Sequence, residues 1–268
     1  MLPLTRTHLL EGLRNPAQFG QRAFRYLVRN AVGTITRVET DAPVAALTFD
    51  DGPHPEFTPR LIRLLERFDA RATFFMLGQS AAQYPEIVKR VAEAGHAIAN
   101  HTFDHPSFPL ITREERLNQL RSCREALSPY EQKLFRPPYG EQSKASHFDV
   151  TRLGYKVILF DAHADDWFEP DSERMTQLLH NQVRPGSIVC LHDAIYWHRL
   201  PSLVPRLAER PLVDRRSMLK ALEKYLEKAA RRFRFVTVPE LFRYGRPRRV
   251  DWYRVTSPGS TGSAENRG

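Results

Sequence analysis

Apolar, β-prone runs alternate with amphipathic helical patterns along most of this chain, and that alternation narrows its fold more than any other feature. The β-prone runs fall at 44–49, 72–77, 97–100, 134–136, 156–161, 187–192 and 233–238. Helical spacing fills the intervals at 58–68, 85–95, 112–127, 144–153, 172–183 and 216–233. Gly95 and Gly186 stand where helix stops belong. A helix between two strands returns the chain to the edge it left, so such strands pair in parallel. The pattern predicts an α/β fold, either an open doubly wound sheet or a (β/α) barrel, and periodicity alone does not choose between them.

The flanks read differently. Residues 1–42 read as an amphipathic helical leader, with Leu9, Leu10, Leu13, Phe19, Phe24, Leu27 and Val28 at helix-like spacings. Residues 43–245 carry the alternating pattern as one domain. Residues 246–268 are first basic and then Ser/Gly-rich, and are expected to be partly disordered. No apolar run is long enough to span a bilayer, and the first thirty residues lack the features of a secretory signal. Cys123 and Cys190 make neither a disulfide framework nor a zinc-finger spacing. The expected location is therefore cytoplasmic. A net charge of +9 favours anionic partners. The basic clusters at 231–235 and 243–249 lack interleaved aromatics, so no nucleic acid is expected. With the leader, they suggest weak peripheral attraction to an anionic inner membrane face.

Polar residues gather where the predicted strands end. Asp50 and Asp51, in "TFDDGPHP", follow the first strand. His101 and His105, in "NHTFDH", follow the third; Arg136 in "FRPPYG" follows the fourth; "FDAHADDW" ends the fifth; and His192 in "LHDA" ends the sixth. The C-terminal edge of a parallel sheet is where active sites assemble. Two imidazoles four residues apart can reach one ion. Pro106 argues against a helix running through His105, so a turn leading into a helix is expected. One of the paired aspartates can complete the ligand set. Two imidazoles and a carboxylate leave a position open for water, the pattern of a catalytic zinc. Adjacent carboxylates on an extended chain point opposite ways, so one can ligate while the other accepts a proton. Each motif has a plain structural reading by itself; their ordered recurrence at strand ends separates them from turns and core histidines.

"TFDDGP", "HTFDH", "RPPYG", "DDW" and "LHD", in this order, resemble the polysaccharide deacetylases of the NodB-homology type, carbohydrate esterase family 4. The resemblance covers roughly residues 43–245. It implies a distorted (β/α)7 barrel and hydrolytic removal of acetyl groups from N-acetylated sugars. It implies Asp50 as general base, held ionised by Arg136, and Asp51, His101 and His105 as ligands of a divalent metal, usually zinc. It further implies the Tyr139 backbone N–H as an oxyanion donor, Trp167 as a pocket wall, and His192 as general acid.

Two positions depart from the family pattern. His163 stands where an aspartate commonly sets the protonation of the acid histidine, leaving Asp161 or Asp165 as substitutes. Cys190, with Leu191 beside it, stands where a leucine commonly lines the acetyl pocket. These departures bear on the substrate. An N-acetylated glycan or a lipid-linked sugar is the expectation, with a non-glycan amide, such as a cyclic imide or ureide, as the alternative. A non-catalytic glycan- or membrane-binding barrel is a third reading, disfavoured because a binder needs neither Asp50 nor His192. Residues 194–216 read as a substrate-facing loop in which Tyr196 and Trp197 could stack on a sugar.

Overall fold

The structure is a computed structural model that describes residues 33–196 and 214–251. Its strands are β1 (Thr34–Glu39), β2 (Val44–Asp50), β3 (Ala72–Met76), β4 (Ala97–Asn100), β5 (Glu131–Phe135), β6 (Lys156–Val157), β7 (Ala162–His163), β8 (Ile188–His192), β9 (Arg234–Phe235) and β10 (Arg246–Val250). Seven of them form a curled parallel sheet in the order β6-β5-β4-β3-β2-β8-β7, and β9 pairs with the start of β2. Helices α1 (Phe57–Arg67), α2 (Gly78–Gln83), α3 (Pro85–Glu93), α4 (Arg113–Leu127), α5 (Lys144–Arg152), α6 (Ser172–Gln182), α7 (Arg216–Ala229) and α8 (Val238–Leu241) accompany the sheet. The architecture is the distorted (β/α)7 barrel, the alternative that periodicity left open. No described helix is long and apolar enough to cross a membrane.

Burial on both faces explains the near-continuous apolar sequence of β2, all seven of whose residues are buried. Side chains alternate along it. Leu47 and Phe49 point to the helices, packing with Phe74, Leu61, Leu65 and Leu191. Ala46 points inward with Phe75, Ala99, Leu134 and Ile188, filling the barrel. Thr48 and Asp50 continue that inward row, so the strand's alternation delivers Asp50 to the barrel mouth.

Three differences from the sequence reading have local causes. The run at 156–161 is a strand only at Lys156–Val157, with β7 following it at Ala162–His163, because the buried Arg136 guanidinium takes the carbonyls of Ile158 and Leu159 (3.3 and 3.2 Å) that a longer strand would give to a neighbour. The run at 233–238 stops after Phe235, since Thr237 caps α8 reciprocally with Glu240. Residues 34–39, assigned above to a helical leader, are a strand. Thr34, Ile35, Thr36 and Val38 are β-branched, which favours a pleated surface. β1 bridges the gap the split leaves, with Ile35 against Ile158 and Arg37 against Ser187. Its antiparallel partner is β10, drawn from the segment read as a tail. The folded unit thus extends past both ends of 43–245. The leader residues whose spacing suggested a helix lie outside the described residues, as do 252–268.

Candidate active site

Asp50 ends β2 and His192 ends β8, and parallel pairing makes them direct register partners. Arg136, at the end of β5, reaches across the barrel. Its Nη1 donates to Asp50 Oδ1 and to Thr48 Oγ1, each at 2.7 Å. The guanidinium lies over the Phe75 ring at 4.1 Å and is 1% exposed. A buried ion pair of this kind stands only when its remaining donors are satisfied, which the Ile158 and Leu159 carbonyls accomplish.

Asp51, His101 and His105 converge beside this pair, all buried, with one ligand atom from each lying within 4.8 Å of the others. His101 follows β4 directly. His105 is reached by a loop, not by the turn leading into a helix that was expected; a 3-10 turn begins only at Phe108. Gln119 of α4 pins the loop by accepting from the Phe103 and Asp104 amides (2.8 and 3.1 Å). Five of the six described non-glycine residues at positive φ are here: Asp51, Thr102, His105, Tyr139 and Asp165. Each such residue costs about 1–2 kcal/mol, so strain is concentrated where the side chains must converge. Gly52 permits the Asp51 turn, because a Cβ there would lie 2.3 Å from the Asp193 carboxylate. That carboxylate accepts from Thr58, and burial pushes it up to about 7.

Whether these three residues fit a metal can be judged from their donors. Asp51 Oδ1 lies 3.3 Å from Nε2 of both histidines and, among the described residues, has no hydrogen-bond partner. His101 Nδ1 sits 2.7 Å from the Arg136 carbonyl, which can only accept, so its Nε2 presents a lone pair. Burial pushes His105 down to about 4, against the upward pull of Asp51, which keeps it neutral. Burial would raise Asp51, but His105, His101 and His192 outweigh it and hold the carboxyl below the ordinary range. Three buried acceptors facing a common point suit a divalent cation. Tyr196 holds the other carboxylate oxygen, its backbone N–H donating to Asp51 Oδ2 at 3.0 Å.

His192 is supported from behind. Its Nδ1 lies 3.0 Å from Asp166 Oδ1, and its backbone N–H donates to Asp166 Oδ2 at 2.9 Å. Burial pushes the imidazole down, but Asp166 more than offsets this, with help from Asp51 and Asp50, and raises it to about 9. Asp166 therefore fills the place sought in Asp161 or Asp165. Asp165 instead pairs with His163 (2.7 Å), and Asp161 accepts from the Ile188 amide. Asp166 was visible within "DDW", but its direction was not, since that segment leaves the sheet.

Trp167 packs edge-on to His192, with ring centroids 5.6 Å apart. Tyr139 meets His105 edge-on at 4.5 Å. Cys190 points inward, its Sγ 3.6 Å from Asp50 Oδ2. Burial raises its thiol well above the usual value, so it is a neutral donor to the carboxylate. Leu191 is the exception: it faces the helices beside Phe49 and does not line the site. Tyr196 reaches the site, its hydroxyl donating to Gln79 at 3.0 Å. Trp197 lies outside the described residues.

A family model described as polysaccharide deacetylase matches residues 37–158. A peptidoglycan-N-acetylglucosamine deacetylase of Bacillus cereus is 33% identical over 207 residues, covering 76% of this chain and 70% of its own. A chitooligosaccharide deacetylase of Azorhizobium caulinodans is 35% identical over 168 residues, covering 61% of this chain and 80% of its own. Among solved structures, a peptidoglycan N-acetylglucosamine deacetylase superposes with a TM-score of 0.68 at 29% identity, covering 80% of this chain and 95% of its own. With that similarity extending across the barrel and its motifs, the chain belongs to the polysaccharide deacetylases of carbohydrate esterase family 4, hydrolases of carbon–nitrogen bonds other than peptide bonds.

Proposed function

We propose that this enzyme removes acetyl groups from N-acetylated sugars of a glycan, using a divalent metal, most simply zinc, held by Asp51, His101 and His105. One observation carries the reading: Asp50 and His192 are register partners at the mouth of the barrel, immediately beside the buried three-ligand cluster. When bound, the ion supplies Lewis-acid polarisation of the acetyl carbonyl. Asp50, fixed by Arg136, accepts the proton of the attacking water. The Tyr139 backbone N–H stabilises the oxyanion. His192 gives its proton to the departing nitrogen, because an amine cannot leave as an anion at neutral pH. Trp167 walls the pocket and fixes the plane of that imidazole. The names of the relatives support a peptidoglycan or chitooligosaccharide substrate.

The test is acetate release from chitooligosaccharides and from peptidoglycan fragments. Chelation should abolish release and added zinc should restore it. Ring opening of small imides without acetate release would replace the glycan with the non-glycan amide, and binding without any turnover would leave a carbohydrate-binding barrel.

The acid has a pH signature. His192 must be protonated in the free enzyme, so kcat/KM should fall as pH rises through its pKa. Asp166→Asn removes the charge that raises this pKa while burial continues to lower it. The alkaline limb should therefore move to lower pH, by about 1–3 units. An unmoved limb in kcat/KM profiles would assign that limb to another group.

A further inference from the structure

We propose that Arg215 is a positioning residue for proton donation, completing an Arg215–Asp166–His192 chain that keeps Asp166 a carboxylate through the cycle. The inference rests on the reading of His192 as general acid. Arg215 immediately precedes α7 and belongs to none of the motifs. It is 3% exposed, and its Nη1 donates to the Asp166 carbonyl oxygen at 2.9 Å and to Asp166 Oδ2 at 3.1 Å. Asp166 Oδ2 also receives the His192 amide, and Oδ1 faces His192 Nδ1. Both oxygens of the carboxylate are thus tied, Oδ1 to the His192 ring and Oδ2 to the His192 amide and Arg215, which also holds the Asp166 backbone carbonyl.

The need for this arginine follows from charge. The Asp166 side chain is 0% exposed. Paired with an imidazolium alone, it would be left as an uncompensated buried anion when His192 gives up its proton, and removing one partner of a buried pair is strongly unfavourable. With Arg215 present, the group of three passes from a net single positive charge to neutrality. The proton leaves more easily, and Asp166 does not take the Nδ1 proton in exchange. The imidazole keeps Nδ1–H towards Asp166 and Nε2 towards the substrate. Among the described residues, Asp50 and Asp51 on the β2 side also act on His192, Asp51, Asp193 and Asp214 act on Arg215, and Arg136 is occupied by Asp50. Arg215 is therefore the cation joined to the acid's own carboxylate.

The experiment uses the leaving group to separate positioning from scaffolding. N-acetylated chitooligosaccharide needs a proton on its leaving nitrogen; 4-nitrophenyl acetate releases a stable anion and needs none. On the zinc-loaded enzyme, Arg215→Met should lower kcat for the amide by about tenfold to hundredfold with little change in KM, the loss expected for a charge-assisted hydrogen bond. Ester hydrolysis should remain near wild type. His192→Ala should give the same pattern more strongly, and Arg215→Lys should recover part of the amide rate. In the metal-free protein, the His192 Nδ1–H resonance should be seen for wild type and Arg215→Lys and be lost to solvent exchange in Arg215→Met. Equal loss on amide and ester, or no loss on either, overturns the role, as does an Nδ1–H resonance unchanged in Arg215→Met; if Arg215→Met does not fold, equal loss on amide and ester in Arg215→Lys overturns it instead. A wild-type enzyme inactive on the amide while hydrolysing the ester fails instead at the function on which the proposal rests, and takes the proposal with it.

Discussion

Asp50→Asn is expected to reduce acetate release by about 10²- to 10⁴-fold, the contribution of a positioned general base, while the purified protein keeps its metal. The amide is nearly the shape of the carboxylate and still offers Arg136 an acceptor, so the barrel mouth should hold its geometry. What disappears is the charge that accepts a proton. Stability should fall, because Arg136 is almost fully buried and loses its counter-charge. Breaking such a pair outright costs about 3–5 kcal/mol, and the remaining acceptor should keep the loss below that. Metal content by elemental analysis separates the adjacent aspartates. If the Asn variant comes out metal-free, Asp50 is the ligand and Asp51 the base, and the assignment must be reversed.

His105→Ala should have the opposite signature: loss of metal first, and of activity as a result. Removing one of three protein ligands should weaken binding by more than the 10- to 100-fold typical of losing a group merely behind a ligand. Thermal unfolding makes this visible without an activity assay. Saturating zinc should raise the wild-type midpoint, since an ion bound only by the native state at about 100 times its Kd contributes about 2.7 kcal/mol. The variant should show little or no rise. Its metal-free form should not be much weaker than metal-free wild type, because His105 Nδ1 has no hydrogen-bond partner among the described residues to lose. A normal zinc response in the variant would remove His105 from the ligand set.

What could be read from sequence tracks how local the cause is. β2, β3, β4 and β8 are short apolar runs bounded by turns, β5 shows an apolar end at Leu134–Phe135, and the helices between them repeat at helical spacing, so their order was legible. Asp50, Asp51, His101, Arg136 and His192 end or directly follow those strands, with His105 a short loop beyond His101, and a parallel sheet carries them to one edge. The positive φ of Asp51 and His105 left no mark in residue type, as neither is glycine. The outward direction of Leu191 depends on strand phase: one residue decides barrel or helix side, and the adjacent Cys190 took the inward place. Asp166 depends on how the chain runs after the sheet gives way near Arg136. Arg215 lies 49 residues from Asp166 with no periodic signal between them. β1 and β10 were obscured because their pairing joins opposite ends of the sequence, and the charged RPRRV resembles a solvated tail until its partner is known.

That last pairing has a mechanical consequence. In the β1–β10 register Thr34 faces Val250, and Glu39 faces Arg246. The chain therefore enters and leaves the ribbon at the same end, and tension applied through both flanks would pull directly on the Thr34–Val250 pair. Loaded that way, antiparallel strands peel one pair at a time instead of shearing all at once. Pulled from both sides, this enzyme should yield first along the seam that β1 closes, between Ile158 and Ser187, before force reaches the catalytic rim.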